Sequence, residues 1–175
     1  IEQVAFEARN SELVDKKSGV SARLTIAAYE NAVSAAERRA LINDEQQTQI
    51  WISDLIGIIP SITGKIELVY EGEQEGPYQV AFNLLERAIR TQFVTYFPNP
   101  DTLKKKNRKE KTEEDNPYKS ITRWFDNGNH LDVFLETKDA DKIQLLYKVD
   151  GLHAFVKKHF KTAGEKETAL LMEFV

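Results

Sequence analysis

Phosphate chemistry needs a cation and free backbone amides converging on one turn, and one stretch of the chain offers both. Gly19-Val20-Ser21-Ala22-Arg23 leads straight into an alanine-rich run from Leu24 to Ile42. Ser21 is placed to accept from a first-turn amide and so to cap the helix, which puts Arg23 at the second helical position. A cation there faces the positive end of the helix dipole and costs about 0.3–1 kcal/mol unless an anion sits beside it. The stretch is therefore either a phosphate site built from amides and a guanidinium, or a turn carrying a surface arginine whose cost is screened by salt.

Nothing else in the chain assembles a complete site. Gly57 to Lys65 invites comparison with a phosphate-binding loop of the form G-x-x-x-x-G-K-[ST]. Six residues separate its glycines instead of four, and Ile66 stands where a hydroxyl would hold magnesium. His130, His153 and His159 are the only imidazoles. The last two are six apart, so on one helix they point to different sides and share no metal. Glu71, Glu73 and Glu75 crowd into a short acidic turn that could draw a divalent ion, although a solvated loop is the simpler reading. No H-E-x-x-H, nucleophile elbow or catalytic cysteine is present.

The elements that must position Gly19–Arg23 follow from hydrophobic spacing. Residues 1 to about 14 read as a first amphipathic helix, with Val4, Ala8, Phe6 and Leu13 on or near its buried side. Asp15 to Gly19 is a turn. The second helix carries Ile26, Tyr29, Val33, Ala36 and Ala40 at spacings of three and four, which predicts one buried stripe. Arg38 and Arg39 lie in its last turns, where the dipole favours a cation without any ligand. Asn43 to Gln49 is loop-like, and Trp51 to Ile59 reads as a short buried helix stopped or kinked by Pro60. Thr63 to Tyr70 fits a helix end followed by a strand, or a continued helix. Phe82, Leu85, Ile89, Phe93 and Phe97 share a face of the next helix, over 78–97, which Pro98 ends.

From Asp101 to Asn116 the chain is almost wholly polar and runs Lys-Lys-Lys-Asn-Arg-Lys-Glu-Lys over 104–111, which reads as a mobile linker. No aromatic residue is interleaved with those lysines for bases to stack on, so a nucleic-acid patch is not expected. Beyond it, Pro117 suits a helix start, with Tyr118, Ile121 and Phe125 on its apolar face. His130 to Leu135 alternates like a strand. Ala140, Ile143, Leu146 and Val149 suggest a helix broken by Gly151; Leu152, Phe155, Val156 and Phe160 suggest another, and Glu165 to Phe174 a last one.

Composition bounds the function classes. A chain of 175 residues with 41% hydrophobic content can build one good core or two small ones. No apolar run approaches the roughly 20 residues that cross a bilayer, and no signal-peptide pattern opens the chain, so a soluble, cytoplasmic protein is expected. Zero cysteines excludes disulfides and thiolate metal sites, and a net charge of −4 gives no general attraction to nucleic acid or an anionic membrane. Because Ile1 to Arg9 reads as the middle of a helix, the chain is expected to be a fragment of a longer protein.

Gly19-Val-Ser-Ala-Arg23 at a helix start resembles the sensor-2 element in the helical lid of AAA+ ATPases. Its continuation through Ala35-Ala-Glu-Arg-Arg-Ala-Leu41, with Ser61-Ile-Thr-Gly-Lys-Ile-Glu-Leu68 ahead of the 78–97 helix, looks like the C-terminal region of the magnesium-chelatase-like, MoxR-related branch. The resemblance covers roughly residues 1–98 and implies an upstream ATPase core with the Walker motifs and an arginine finger, which this chain lacks. It implies that Arg23 is the sensor-2 arginine contacting nucleotide, with Gly19 and Ser21 shaping its turn, and that the fragment itself carries no catalytic residue and no metal site. ATP and Mg2+ would be cofactors of the full-length protein and not of the fragment alone. The implied partners are neighbouring AAA+ subunits in a homo-oligomeric ring and a protein with a von Willebrand factor A domain, with no membrane and no nucleic acid. Residue-level rivals are a non-catalytic helical interaction module and the helical part of an ATP-dependent transcription regulator.

The expected fold is mainly α. An AAA+ lid-like bundle over 1–98 is followed by a charged linker over 99–116 and a small α-rich or α+β appendage over 117–175.

Overall fold

The structure, a computed structural model, describes residues 1–102 and 116–175. The lysine-rich run over 104–111 lies outside the described residues. The chain is mainly helical, and among the described residues extended pairing is confined to two isolated antiparallel bridges, Val14 with Leu68 and Val20 with Ile66. No helix among them is long and apolar enough to cross a membrane. The chain divides into two compact units, Ile1–Gln92 and Phe93–Val175.

The first unit contains α1 (Glu2–Asn10), α2 (Leu24–Ile42), a 3-10 helix (Ser53–Ile58), α3 (Ile59–Thr63), α4 (Tyr70–Glu75) and most of α5 (Pro77–Tyr96). Helix α1 stops at Asn10 and does not run to residue 14. Ser11 is extended there, and the Lys16 ammonium donates to the carbonyls of Arg9 and Ser11 at 3.0 and 2.8 Å, serving the freed end of the helix as a cation does at a C-terminus. Val4 and Ala8 are buried as expected, but Phe6 is exposed and Leu13 only half-buried.

The buried face of α2 keeps only part of the expected stripe, since Ala36 and Ala40 are buried and Val33 half-buried but the two larger residues at its start are not. Ile26 and Tyr29 are 61% and 60% exposed, whereas Leu24, Ala28, Ala32, Ala36, Arg39 and Ala40 are buried. Ala28 and Ala32 join Val4, Ala5, Ala8, Ile58, Ile62, Leu84 and Ala88 in one core, so the helix turns its smallest side chains inward and its larger ones out. A methyl group on the inner face lets neighbouring backbones approach closely, which a Tyr or Ile there would prevent. Gly57 completes that fit: a Cβ on it would lie 3.0 Å from the Ala35 Cβ.

The short helix before Pro60, a 3-10 helix, ends at Ile58 as expected, and Pro60 also begins the next one. It occupies the first turn of α3, where its missing amide would have had no partner in any case. In α5 the buried residues are Val80, Ala81, Leu84, Leu85 and Ala88; of the expected face Leu85 is buried and Ile89 packs half-buried against the core, but Phe82 is 37% exposed.

The least anticipated feature is at the end of α2. Arg39 is 1% exposed, and its Nη2 donates to Asp54 Oδ2 at 3.0 Å, to Thr48 Oγ1 at 3.0 Å and to the Gln49 carbonyl at 2.9 Å; its Nε reaches Asp54 Oδ1 at 3.3 Å. Asp54, 4% exposed, also accepts from the Trp51 amide at 2.8 Å. A two-point pair of this kind carries its own desolvation cost only when both partners are otherwise hydrogen-bonded, as they are here.

The second unit is organised by aromatic rings. Phe97 lies 5.3–5.5 Å from Phe93, Phe155 and Phe160 between ring centroids, and Tyr118 lies 4.7 Å from Phe155. Phe93 and Phe97, expected on the face of the first bundle, thus belong to this second core. Around it run α6 (Lys119–Asp126), α7 (Asp139–Tyr147), α8 (Leu152–His159) and α9 (Glu165–Phe174). Gly151 separates α7 from α8 at a φ of +80°, a conformation open to glycine at little cost. Lys142, fully buried, pairs with Glu173 at 3.1 Å and ties α7 to α9. The expected strand over His130–Leu135 is absent: those residues are irregular and Phe134 is 71% exposed. A single alternating segment with no second strand to pair with cannot satisfy its backbone as a sheet.

Two outcomes test these cores. Arg39→Ala leaves Asp54 buried without its cation and should cost about 3–5 kcal/mol in urea unfolding of the chain. The Tyr118 hydroxyl donates to the Pro98 carbonyl at 2.7 Å, and burial pushes its pKa up to about 12. Folding favours the neutral phenol, so its contribution is complete below about pH 10 and is lost as pH rises through about 12. Ultraviolet titration should show a tyrosinate step near pH 12 that vanishes in Tyr118→Phe.

Candidate functional site

Gly19–Arg23 lies in the first unit, on the long loop joining α1 to α2. The loop is fixed by backbone pairing to residues 65–69. Val69 donates to the Leu13 carbonyl and Asp15 to the Glu67 carbonyl, while Glu67 donates to Gly19 and Ser21 to Lys65, all at 2.9–3.1 Å. Residues 13–15 and 19–21 therefore pair with one extended segment, and residues 16–18 bulge out between them. This resolves the two readings of Thr63–Tyr70: α3 ends at Thr63, a short extended piece supplies the pairing, and α4 begins at Tyr70.

The bulge has its own internal tie. The Asp15 carboxylate accepts from the Ser18 amide at 2.9 Å, the Lys17 amide at 2.7 Å and the Ser18 hydroxyl at 3.1 Å, and these bonds, the Ser18 amide first, hold its pKa below the usual carboxylate range. Gly19 is buried at the return of the bulge. A Cβ there would sit 1.8 Å from the Asp15 carbonyl oxygen, so no residue with a side chain fits without displacing backbone.

Helix α2 starts later than the sequence suggests. Arg23 is its N-cap, in a right-handed conformation, and Leu24 is its first residue. Ser21 stands two residues outside the helix. Its hydroxyl accepts from the Arg23 amide at 3.2 Å and its carbonyl from the Leu24 amide at 3.1 Å, so it shapes a turn that leads into the helix and does not cap it from within. The Arg23 carbonyl accepts from Ala27 at 3.0 Å and begins the helical ladder. Its guanidinium is exposed and, among the described residues, makes no hydrogen bond or ion pair. Along the same outward side of α2 follow exposed Ile26 and Tyr29 and half-buried Val33.

The other candidates do not converge on this loop. Gly57 to Lys65 forms the end of the 3-10 helix and α3, with no strand leading into it, so it lacks the framework of a phosphate-binding loop. Glu71 and Glu73 lie in the first turn of α4, where the dipole favours them, and Glu75 accepts from Asn83 Nδ2 at 2.8 Å. His159 Nδ1 donates to the Phe155 carbonyl at 2.9 Å and its ring packs on Phe155 and Phe97; His153 lies against Tyr147; His130 pairs with Asp132 at 3.3 Å on the surface. Among the described residues no group of three or more His, Cys, Asp or Glu is placed to hold a metal.

The Arg39–Asp54 pair is what sequence reasoning missed. Its signal was Asp54, a lone carboxylate in the apolar run Trp51 to Ile59, since a buried charge requires a partner. Compared with protein-family models, curated proteins and solved structures, the chain matches none.

Gly19→Ala tests the loop. Its added methyl must push the Asp15 backbone aside and loosen the Glu67-to-Gly19 hydrogen bond. The expected cost is about 1–3 kcal/mol, read from chemical denaturation, with faster amide exchange at Glu67 and Ser21.

Proposed function

We propose that the chain is the C-terminal lid and extension of a magnesium-chelatase-like, MoxR-related AAA+ ATPase, in which Arg23 contacts the phosphates of bound ATP. The observation that carries this reading is the free guanidinium of Arg23 at the start of α2, exposed at the end of a loop whose two arms are held by backbone pairing to residues 65–69. The sequence pattern Gly19-Val-Ser-Ala-Arg23 agrees with it. Phosphoryl transfer is catalysed largely by positioning and by neutralising charge on the γ-phosphoryl oxygens, and arginines supplied to that charge are worth on the order of 10³–10⁵ in rate in well-studied NTPases. An arginine on a mobile lid also reports nucleotide state, because hydrolysis removes the anion that holds it.

In this reading the ATPase core, with its Walker motifs and Mg2+, belongs to the full-length protein, which works in the cytoplasm as a ring of identical subunits on a remodelling or metal-insertion task, with a von Willebrand factor A domain protein as a partner. The surface that brings phosphates to Arg23 also meets Ile26 and Tyr29 one and two turns on. Those side chains, exposed on a helix that already has a buried face, give the docking an apolar component. The same exposure favours a second reading, a helical interaction module in which α2 binds a partner protein and Arg23 has no nucleotide to meet.

Two substitutions separate these readings. Arg23→Ala in the full-length protein should remove most ATP turnover, while the 175-residue chain stays folded and gains at most about 1 kcal/mol in unfolding free energy, since the side chain has no partner among the described residues and faces the positive end of the dipole. Turnover equal to the parent would sink the nucleotide reading. Ile26→Glu should leave the chain folded and weaken nucleotide-dependent assembly of the full-length protein in light scattering. Lost partner binding in Ile26→Glu, alongside full ATPase activity in both variants, would instead establish the interaction module.

A further inference from the structure

We draw no further inference here: the strongest candidate, the polar groove of about 460 Å³ between the end of α1 and the Val80–Arg87 face of α5, sets Arg87 among Glu12 and Glu75 on an open surface, and nothing in the structure shows what covers it.

Discussion

Helix α2 meets the core of the first unit through a face that has almost no side chain. Ala28, Ala32 and Ala36 let the surrounding segments come close, yet each buried methyl removes little apolar area, and at about 25 cal/mol per Å² such a face contributes far less than a leucine face of equal length. A helix of 19 residues, roughly 28 Å long, therefore depends on its ends for a fixed position. Leu24, fully buried, seats one end, and Arg39, gripping Asp54 and the Gln49 carbonyl, seats the other. The pair specifies more than it stabilises. A well-packed apolar residue could supply comparable energy, but only a planar guanidinium between a carboxylate and a carbonyl fixes the helix in one rotation and one register.

That fixed rotation decides what α2 leaves outside. With the alanines inward, Ile26 and Tyr29 look away from the core and Val33 lies at its margin, and Arg23 stands at the head of the exposed side. The loop before it is held from the other direction, by residues 65–69 pairing with both of its arms and by Asp15 closing the bulge between them. These hydrogen bonds hold the loop without drawing on the Arg23 side chain. The position of its Cα is thus set by two independent restraints, while its guanidinium remains available.

Most helices were legible because their apolar spacing is strong. The span Glu165–Phe174 and the break at Gly151 stand where spacing and glycine placed them. Which face is buried was less legible, and α2 shows why. Its sequence supports two adjacent stripes, one of alanines and one of Ile26, Tyr29 and Val33, and a hydrophobicity rule prefers the larger residues, whereas close packing selected the smaller. The partial shift in α5, where Ala81 and Ala88 are buried and Phe82 is turned out while Leu85 stays buried and Ile89 half-buried, has the same origin. The irregular His130–Leu135 failed for a different reason, since strand propensity is local and pairing is not. For the site, the residues of the Gly19–Arg23 turn were legible, but the bulged pairing with 65–69 was not, because it joins segments about fifty residues apart.

Arg39 and Arg23, at the two ends of α2, are held in opposite ways. Arg39 lies near the negative end of the helix, where the dipole favours it, and is also hydrogen-bonded by side chains and backbone around it. Arg23 lies at the positive end, where the dipole opposes it by about 0.3–1 kcal/mol, and among the described residues no carboxylate offsets that cost. An uncharged residue at that position would relieve the helix and disturb no contact within the unit. The fold therefore gives Arg23 no internal partner among the described residues, and what stands around it is the start of a long helix with the exposed side chains of Ile26 and Tyr29 further along. An anion carried on a docking surface would turn the unfavourable end of α2 into the favourable half of a binding site.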